Sequence, residues 1–176
     1  NSLVADELEL SYFNAMLGSL TEDDTHVTYN TPMNGVRLAS QTHAELVYTA
    51  GQAAEGASEF NCCQANAARG LSELSQWGVL ADSRSLYVNY YGPSTAKAKT
   101  PGGNSITIEQ TTEYPKNGAI QIRLDLDAPE TFDLCLRIPS WSAESSVMVN
   151  GIGYPGGKSG SYDTIRREWR SGDDIE

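Results

Sequence analysis

Ile120-Gln121-Ile122-Arg123-Leu124-Asp125-Leu126 and, after a proline-containing turn, Phe132-Asp133-Leu134-Cys135-Leu136-Arg137-Ile138 alternate apolar and polar side chains without a break. Only a strand places every second residue on one face, so the stretch predicts two strands of a sheet with one buried side. Toward the C-terminus, Val147 and Val149 continue the alternation up to Asn150-Gly151, the dipeptide best suited to a two-residue hairpin turn. Toward the N-terminus, Ile106 and Ile108 begin it. Cys135 falls opposite the Leu134/Leu136 face and reads as a structural residue. Trp141, after Pro139-Ser140, reads as a packing residue between sheet and helices, with stacking on a sugar as the alternative. Residues 104–176 are therefore predicted to be mainly antiparallel strand.

Before Pro93 the period is different. Ser85 to Tyr91 reads as one strand, ended by Gly92-Pro93-Ser94, and the Gly/Pro/Lys stretch from Lys97 to Asn104 reads as a loop and an internal boundary. Upstream, Ala67, Leu71, Leu74 and Trp77 recur at three- and four-residue spacing, which predicts a helix over 61–77 with Asn61 as N-cap and Gly78 as its stop. Arg69 and Glu73 are spaced to pair on its surface. Leu3 to Gly18 predicts another helix, whose apolar face is Leu8, Tyr12 and Met16. Asp6, Glu7 and Glu9 near its start read as a solvated face favoured by the dipole. Residues 19–60 are a long irregular stretch, the kind of loop that often carries function. Residues 1–92 thus form a helix-and-loop part and 93–176 a β part.

The chain has 176 residues, 39% hydrophobic and 20% charged, with a net charge of −11. That balance disfavours nucleic acid and anionic membranes as partners, since phosphate binding needs clustered Lys and Arg. No apolar run reaches the ~20 residues of a membrane span, and the opening residues do not read as a signal peptide. Three cysteines do not make a disulfide framework. No P-loop, dinucleotide fingerprint or nucleophile-elbow motif is present.

The chemistry-bearing motif is Glu59-Phe60-Asn61-Cys62-Cys63-Gln64-Ala65-Asn66. At the first turn of a helix two adjacent thiols meet the unpaired N–H groups and the positive end of the dipole, which favour a thiolate. A thiolate is both a nucleophile and a soft metal ligand. Two buried thiols, or a disulfide between neighbours, are the plainer readings.

Phe60-Asn61-Cys62-Cys63 with Asn66 and Arg69, Tyr29-Asn30-Thr31-Pro32-Met33, Leu136-Arg137-Ile138-Pro139-Ser140-Trp141, Val149-Asn150-Gly151 and Arg167-Glu168-Trp169 together resemble glycoside hydrolase family 127, the β-L-arabinofuranosidase family. The matches run in order along nearly the whole chain. The resemblance implies an α+β internal piece of a longer enzyme: the last helices of an (α/α)6-type barrel over 1–92 and an incomplete antiparallel β-sandwich over 93–176. It implies a retaining glycosidase with Cys62 as nucleophile, zinc held by Cys62 and Cys63 among others, and Tyr29 contacting an L-arabinofuranoside-like substrate. His26 and His43 are read as surface or structural. The family's remaining zinc ligands and its acid/base glutamate would lie upstream, so the piece alone is expected to be inactive and to self-associate through apolar faces. A bacterial protein of cytoplasm or periplasm rather than membrane is expected. The alternatives are a non-catalytic carbohydrate-binding or scaffold sandwich module, and a thiol redox or metal-binding protein.

Overall fold

The computed structural model describes residues 2–20, 24, 27 and 62–176, with backbone alone for 62–65. His26, Tyr29, His43 and Asn61 lie outside the described residues. Among the described residues the fold is α+β. Helix α1 (Ser2–Leu10) runs on through a π-turn (Ser11–Met16) and a 3-10 turn (Leu17–Ser19), and helix α2 spans Cys62–Trp77. Ten strands follow: β1 (Val79–Ala81), β2 (Ser85–Val88), β3 (Ser94–Lys99), β4 (Ser105–Thr112), β5 (Ile120–Leu126), β6 (Glu130–Ile138), β7 (Val147–Val149), β8 (Ile152–Tyr154), β9 (Ser161–Trp169) and β10 (Asp174–Ile175). The chain divides into two compact units, one formed by Asn1–Glu7 with Ser75–Glu176 and the other by Leu8–Leu74.

The strands form a four-stranded sheet, β1-β2-β6-β9, and a six-stranded sheet, β3-β4-β5-β10-β7-β8. Their inner faces share one core. Leu86, Val88, Phe132, Leu134, Leu136, Ile165 and Trp169 come from the first sheet; Ile106, Ile108, Ile122, Leu124, Leu126, Val147, Val149 and Ile175 come from the second. These are the apolar members of the alternating stretches, so the period of two does choose the buried face. Trp169, fully buried, donates its indole N–H to the Phe132 carbonyl at 3.2 Å, which satisfies its one polar atom inside the core. Asn150 and Gly151 have φ of 52° and 76°. Both are left-handed, as the type I′ turn between β7 and β8 requires.

Three elements differ from the sequence expectation. Residues 97–104 are not one loop: Ser94–Lys99 is β3, paired throughout with β4, and only Thr100–Asn104 turns. The strand shows a weak alternation because its inward residues, Ala96 and Ala98, are small, while Lys97 and Lys99 are exposed, as suits a sheet edge. The β part also begins before Pro93, since β1 and β2 belong to the four-stranded sheet. Finally, that sheet is not wholly antiparallel. β2 lies parallel to β6, because the chain between them crosses to the second sheet to make β3, β4 and β5 before returning.

In the unit Leu8–Leu74, α2 comes close to the π-turn at Gly70. A Cβ there would lie 2.1 Å from the Met16 Cε, so a mid-helix glycine, unfavourable in isolation by about 1 kcal/mol, makes room for the methionine tip.

Candidate active site

Cys62 and Cys63 are the first two residues of α2. Their N–H groups belong to the first turn, which has no intrahelical acceptors, and the helix dipole places positive potential there. A cysteine at a helix N-terminus is the setting in which a thiolate is favoured. Two soft donors agree in kind with zinc and supply half of its usual set of about four. Among the described residues no three His, Cys, Asp or Glu converge as a metal site.

Residues 75–77 at the C-terminal end of α2 belong to the unit that carries the strands, the β-unit. Asn89, just past β2, donates its Nδ2 to the Trp77 carbonyl and its backbone N–H to the Gly78 carbonyl, both at 2.9 Å. These are carbonyls that a helix end leaves without partners, so Asn89 acts as a cap from outside the helix. Its Oδ1 accepts from the Tyr162 hydroxyl at 2.6 Å and its backbone oxygen accepts from Arg137 Nε at 2.5 Å. Burial pushes the Tyr162 phenol up, which keeps the proton on the oxygen that donates.

Arg137 continues this network to the N-terminus. It is 0% exposed, lies over the Tyr90 ring at 5.5 Å and pairs through Nη1 with Asp6 Oδ1. The second Asp6 oxygen accepts from the Ser140 backbone N–H at 3.1 Å. The Arg-Ile-Pro-Ser segment therefore grips one carboxylate from two sides, and Ser2 adds a hydrogen bond to the Gly160 carbonyl at 2.5 Å. The sequence reading of Asp6 and Glu9 as a solvated face is overturned. Both are 4% exposed, whereas Leu3, Val4 and Leu10 on the same helix are 59%, 56% and 49% exposed. The buried stripe Ser2, Ala5, Asp6, Glu9 has helical spacing but carries two carboxylates, and the partner of Asp6 is a guanidinium rather than an apolar core. Glu7 is exposed as expected. Leu8, Tyr12 and Met16, expected to be bare, are half-buried, as are Leu71, Leu74 and Trp77.

Elsewhere in the β-unit the perturbed groups are structural. Burial would raise the Glu130 carboxyl, but hydrogen bonds from the Thr100 hydroxyl, the Gly102 N–H and the Asn104 amide outweigh it and hold the group below the usual range. Glu130 thereby clamps the β3–β4 turn. Asp82 is held down by the N–H of Arg84 and by the Tyr87 hydroxyl, closing the β1–β2 turn. Cys135 is 4% exposed and its thiol is pushed up by burial, so it is a poor thiolate, in line with a structural role. Trp141 is corrected: it is 57% exposed rather than packed away, and stacks on Tyr114 with ring centroids 6.1 Å apart. No helix among the described residues is long and apolar enough to cross a membrane.

Residues 1–76 match the family description "Beta-L-arabinofuranosidase, GH127 catalytic domain" and residues 85–176 match "Beta-L-arabinofuranosidase, GH127 middle domain". No functionally curated protein matches the chain. Three solved structures share its fold. A GH127 β-L-arabinofuranosidase from Geobacillus stearothermophilus T6, Ara127N-Se, superposes with a TM-score of 0.76 at 24% identity, covering 99% of this chain and 27% of that one. A second, described as a glycoside hydrolase, gives 0.78 at 24% identity, over 99% of this chain and 28% of that one. The GH127 β-arabinofuranosidase BT3674 gives 0.73 at 23% identity, again over 99% and 28%. The chain thus spans about a quarter of the length of the structures it matches. With its first 76 residues matching the catalytic domain and the remainder from Ser85 the middle domain, the chain belongs to glycoside hydrolase family 127, the β-L-arabinofuranosidase family.

Proposed function

We propose that this chain is part of a retaining β-L-arabinofuranosidase in which Cys62 is the nucleophile. The observation that carries the reading is the Cys62-Cys63 pair in the first turn of α2, within the segment that matches the family's catalytic domain. On this reading α1 and α2 are late helices of an (α/α)6-type barrel within the segment 1–76, and the strands from Val79 onward belong to the incomplete sandwich. The substrate is an L-arabinofuranoside or a close furanose relative, and Tyr29 lines its site.

The chemistry follows from a thiolate at a helix N-terminus. Cys62 Sγ attacks the anomeric carbon; the C–S bond forms as the bond to the leaving-group oxygen breaks, and that oxygen takes a proton from an acid outside these residues. Water then attacks the same carbon. The new C–O bond forms, the C–S electrons return to sulfur, and the water proton goes to the group that gave one up. Two inversions give net retention. Cys62 and Cys63 would hold zinc together with ligands from elsewhere in the protein, and when bound the metal supplies a positive charge that keeps the thiols deprotonated at neutral pH. The chain's own contribution is to place Cys62 and Cys63 at the start of one helix, α2.

Conversion of Cys62 to serine in the full enzyme tests the reading. Turnover of an aryl β-L-arabinofuranoside should fall by about three orders of magnitude or more with the unfolding midpoint near the parent's. Parent-like turnover would remove Cys62 from the mechanism.

A further inference from the structure

We infer that the exposed Trp141 and the cleft beside it form a saccharide-binding shelf on the β-sandwich. Three aromatic rings run outward in sequence. Tyr91 is fixed by its hydroxyl, which donates to the Arg137 carbonyl at 2.6 Å. It meets Tyr114 edge-on at 5.9 Å, and Tyr114, 8% exposed, carries Trp141 stacked at 6.1 Å with the ring planes 25° apart. Trp141 sits in a tight turn closed by the Ser142 N–H on the Pro139 carbonyl at 3.1 Å. The indole is thus pre-positioned by Tyr114 on one side while more than half of it faces outward. A ring already held in place loses little conformational freedom when a ligand packs on it.

The cleft has a volume of about 270 Å³ and is lined by Tyr91, Tyr114, Pro139, Trp141, Glu144 and Ser145 among others. That is at the small end of ligand clefts, matching about one or two sugar rings. Its rim is built, not incidental. Ser145 Oγ donates to the Gly157 carbonyl at 3.0 Å, and a Cβ at Gly156 would lie 2.0 Å from the Ser145 carbonyl oxygen, so the Gly156-Gly157 loop is pressed against the lining segment. The polar groups select the ligand class. Glu144 and Glu176, both lining residues, repel phosphates and carboxylates and accept hydrogen bonds from hydroxyls, while the rings cover the C–H face of a furanose or pyranose. A neutral oligosaccharide satisfies both requirements. The choice of L-arabinofuranosyl units rests on the glycosidase reading above; the shelf itself does not.

The test uses the full enzyme carrying Cys62→Ser and 5-fluorotryptophan, titrated with an L-arabinofuranosyl disaccharide or trisaccharide and followed by fluorine NMR. The Trp141 resonance is assigned from Trp141→Phe. It should shift saturably, and Trp141→Ala should weaken the binding that shifts a neighbouring fluorotryptophan or the ligand signals about tenfold. Glu144→Gln, which leaves the aromatic rings in place, should also weaken it. A Trp141 resonance that does not move at saturating oligosaccharide overturns the shelf, as does one already shielded from solvent by another part of the enzyme. A shifting Trp141 resonance in a protein that still hydrolyses arabinofuranosides at the parent rate would leave the shelf standing and remove Cys62 as nucleophile.

Discussion

Replacing Asp6 by alanine takes the carboxylate away from a guanidinium that is fully buried. Arg137 keeps its bond to the Asn89 carbonyl and its place over the Tyr90 ring, but its charge loses the Asp6 carboxylate and the Ser140 N–H loses its acceptor. Removing one partner of a buried pair costs about 3–5 kcal/mol, a large share of the ~5–15 kcal/mol that stabilises a domain. The loss should appear in the β-unit, which contains both residues. Urea unfolding followed by the fluorescence of the fully buried Trp169 reads it directly. The double replacement Asp6→Leu with Arg137→Met removes both charges and should lie closer to the parent than Asp6→Ala alone, by at least about 1 kcal/mol. If Asp6→Ala stays within about 1 kcal/mol of the parent, the pair behaves like a surface salt bridge, and the anchoring role assigned to Arg137 is refuted.

Gly156→Ala should destabilise the β-unit and disturb the Trp141 cleft, because the atom a Cβ would strike is the backbone oxygen of Ser145; a parent-like melting curve would count against that packing. Glu130 has its folded pKa lowered, so its stabilising contribution is present above the ordinary glutamate value of about 4.3 and disappears as pH falls through the depressed folded value. Amide exchange at Gly102 should therefore lose protection in acid in the parent, and Glu130→Gln should remove that pH dependence. Asp163 is raised by burial, so its sign is opposite: the protonated form is the favoured one, the contribution is lost as pH rises through the folded pKa, and Asp163→Asn should raise the neutral-pH melting point with little effect in strong acid. The bare Leu3, Val4, Leu10 and Leu17 should make the isolated 176-residue chain self-associate, and light scattering that gives a monomer at micromolar concentration would contradict this.

What the sequence disclosed depended on range. The strands from Ile106 to Ile138 and the Asn150-Gly151 turn rest on neighbours two residues apart, and they were legible for that reason. So was α2 from its three- and four-residue spacing. The burial of Asp6 was not, because the residue that pairs with it, Arg137, lies 131 positions away; hydropathy alone ranks Leu3 and Val4 inside and Asp6 and Glu9 outside. A faint signal existed in Arg137 itself, a lone cation between Leu136 and Ile138 in a strand buried on both faces there. The parallel β2–β6 pairing has no local signature either, since pairing across three intervening strands of the other sheet is a tertiary choice. Trp141 was misplaced because an aromatic after Pro-Ser looks like core until the turn and the Tyr114 stack are seen. The Cys62-Cys63 motif and its helix pointed to a thiolate, and the family resemblance made Cys62 the candidate nucleophile, whereas Tyr29 falls outside the described residues.

The most direct test of the central claim is mass spectrometry of the full enzyme quenched during turnover of a slow L-arabinofuranoside. The account predicts one arabinosyl unit attached to the peptide containing Cys62, at the sulfur, and its loss in Cys62→Ser. Steady turnover with the glycosyl group on another residue, or with an unmodified Cys62 under conditions that trap the intermediate, would contradict it.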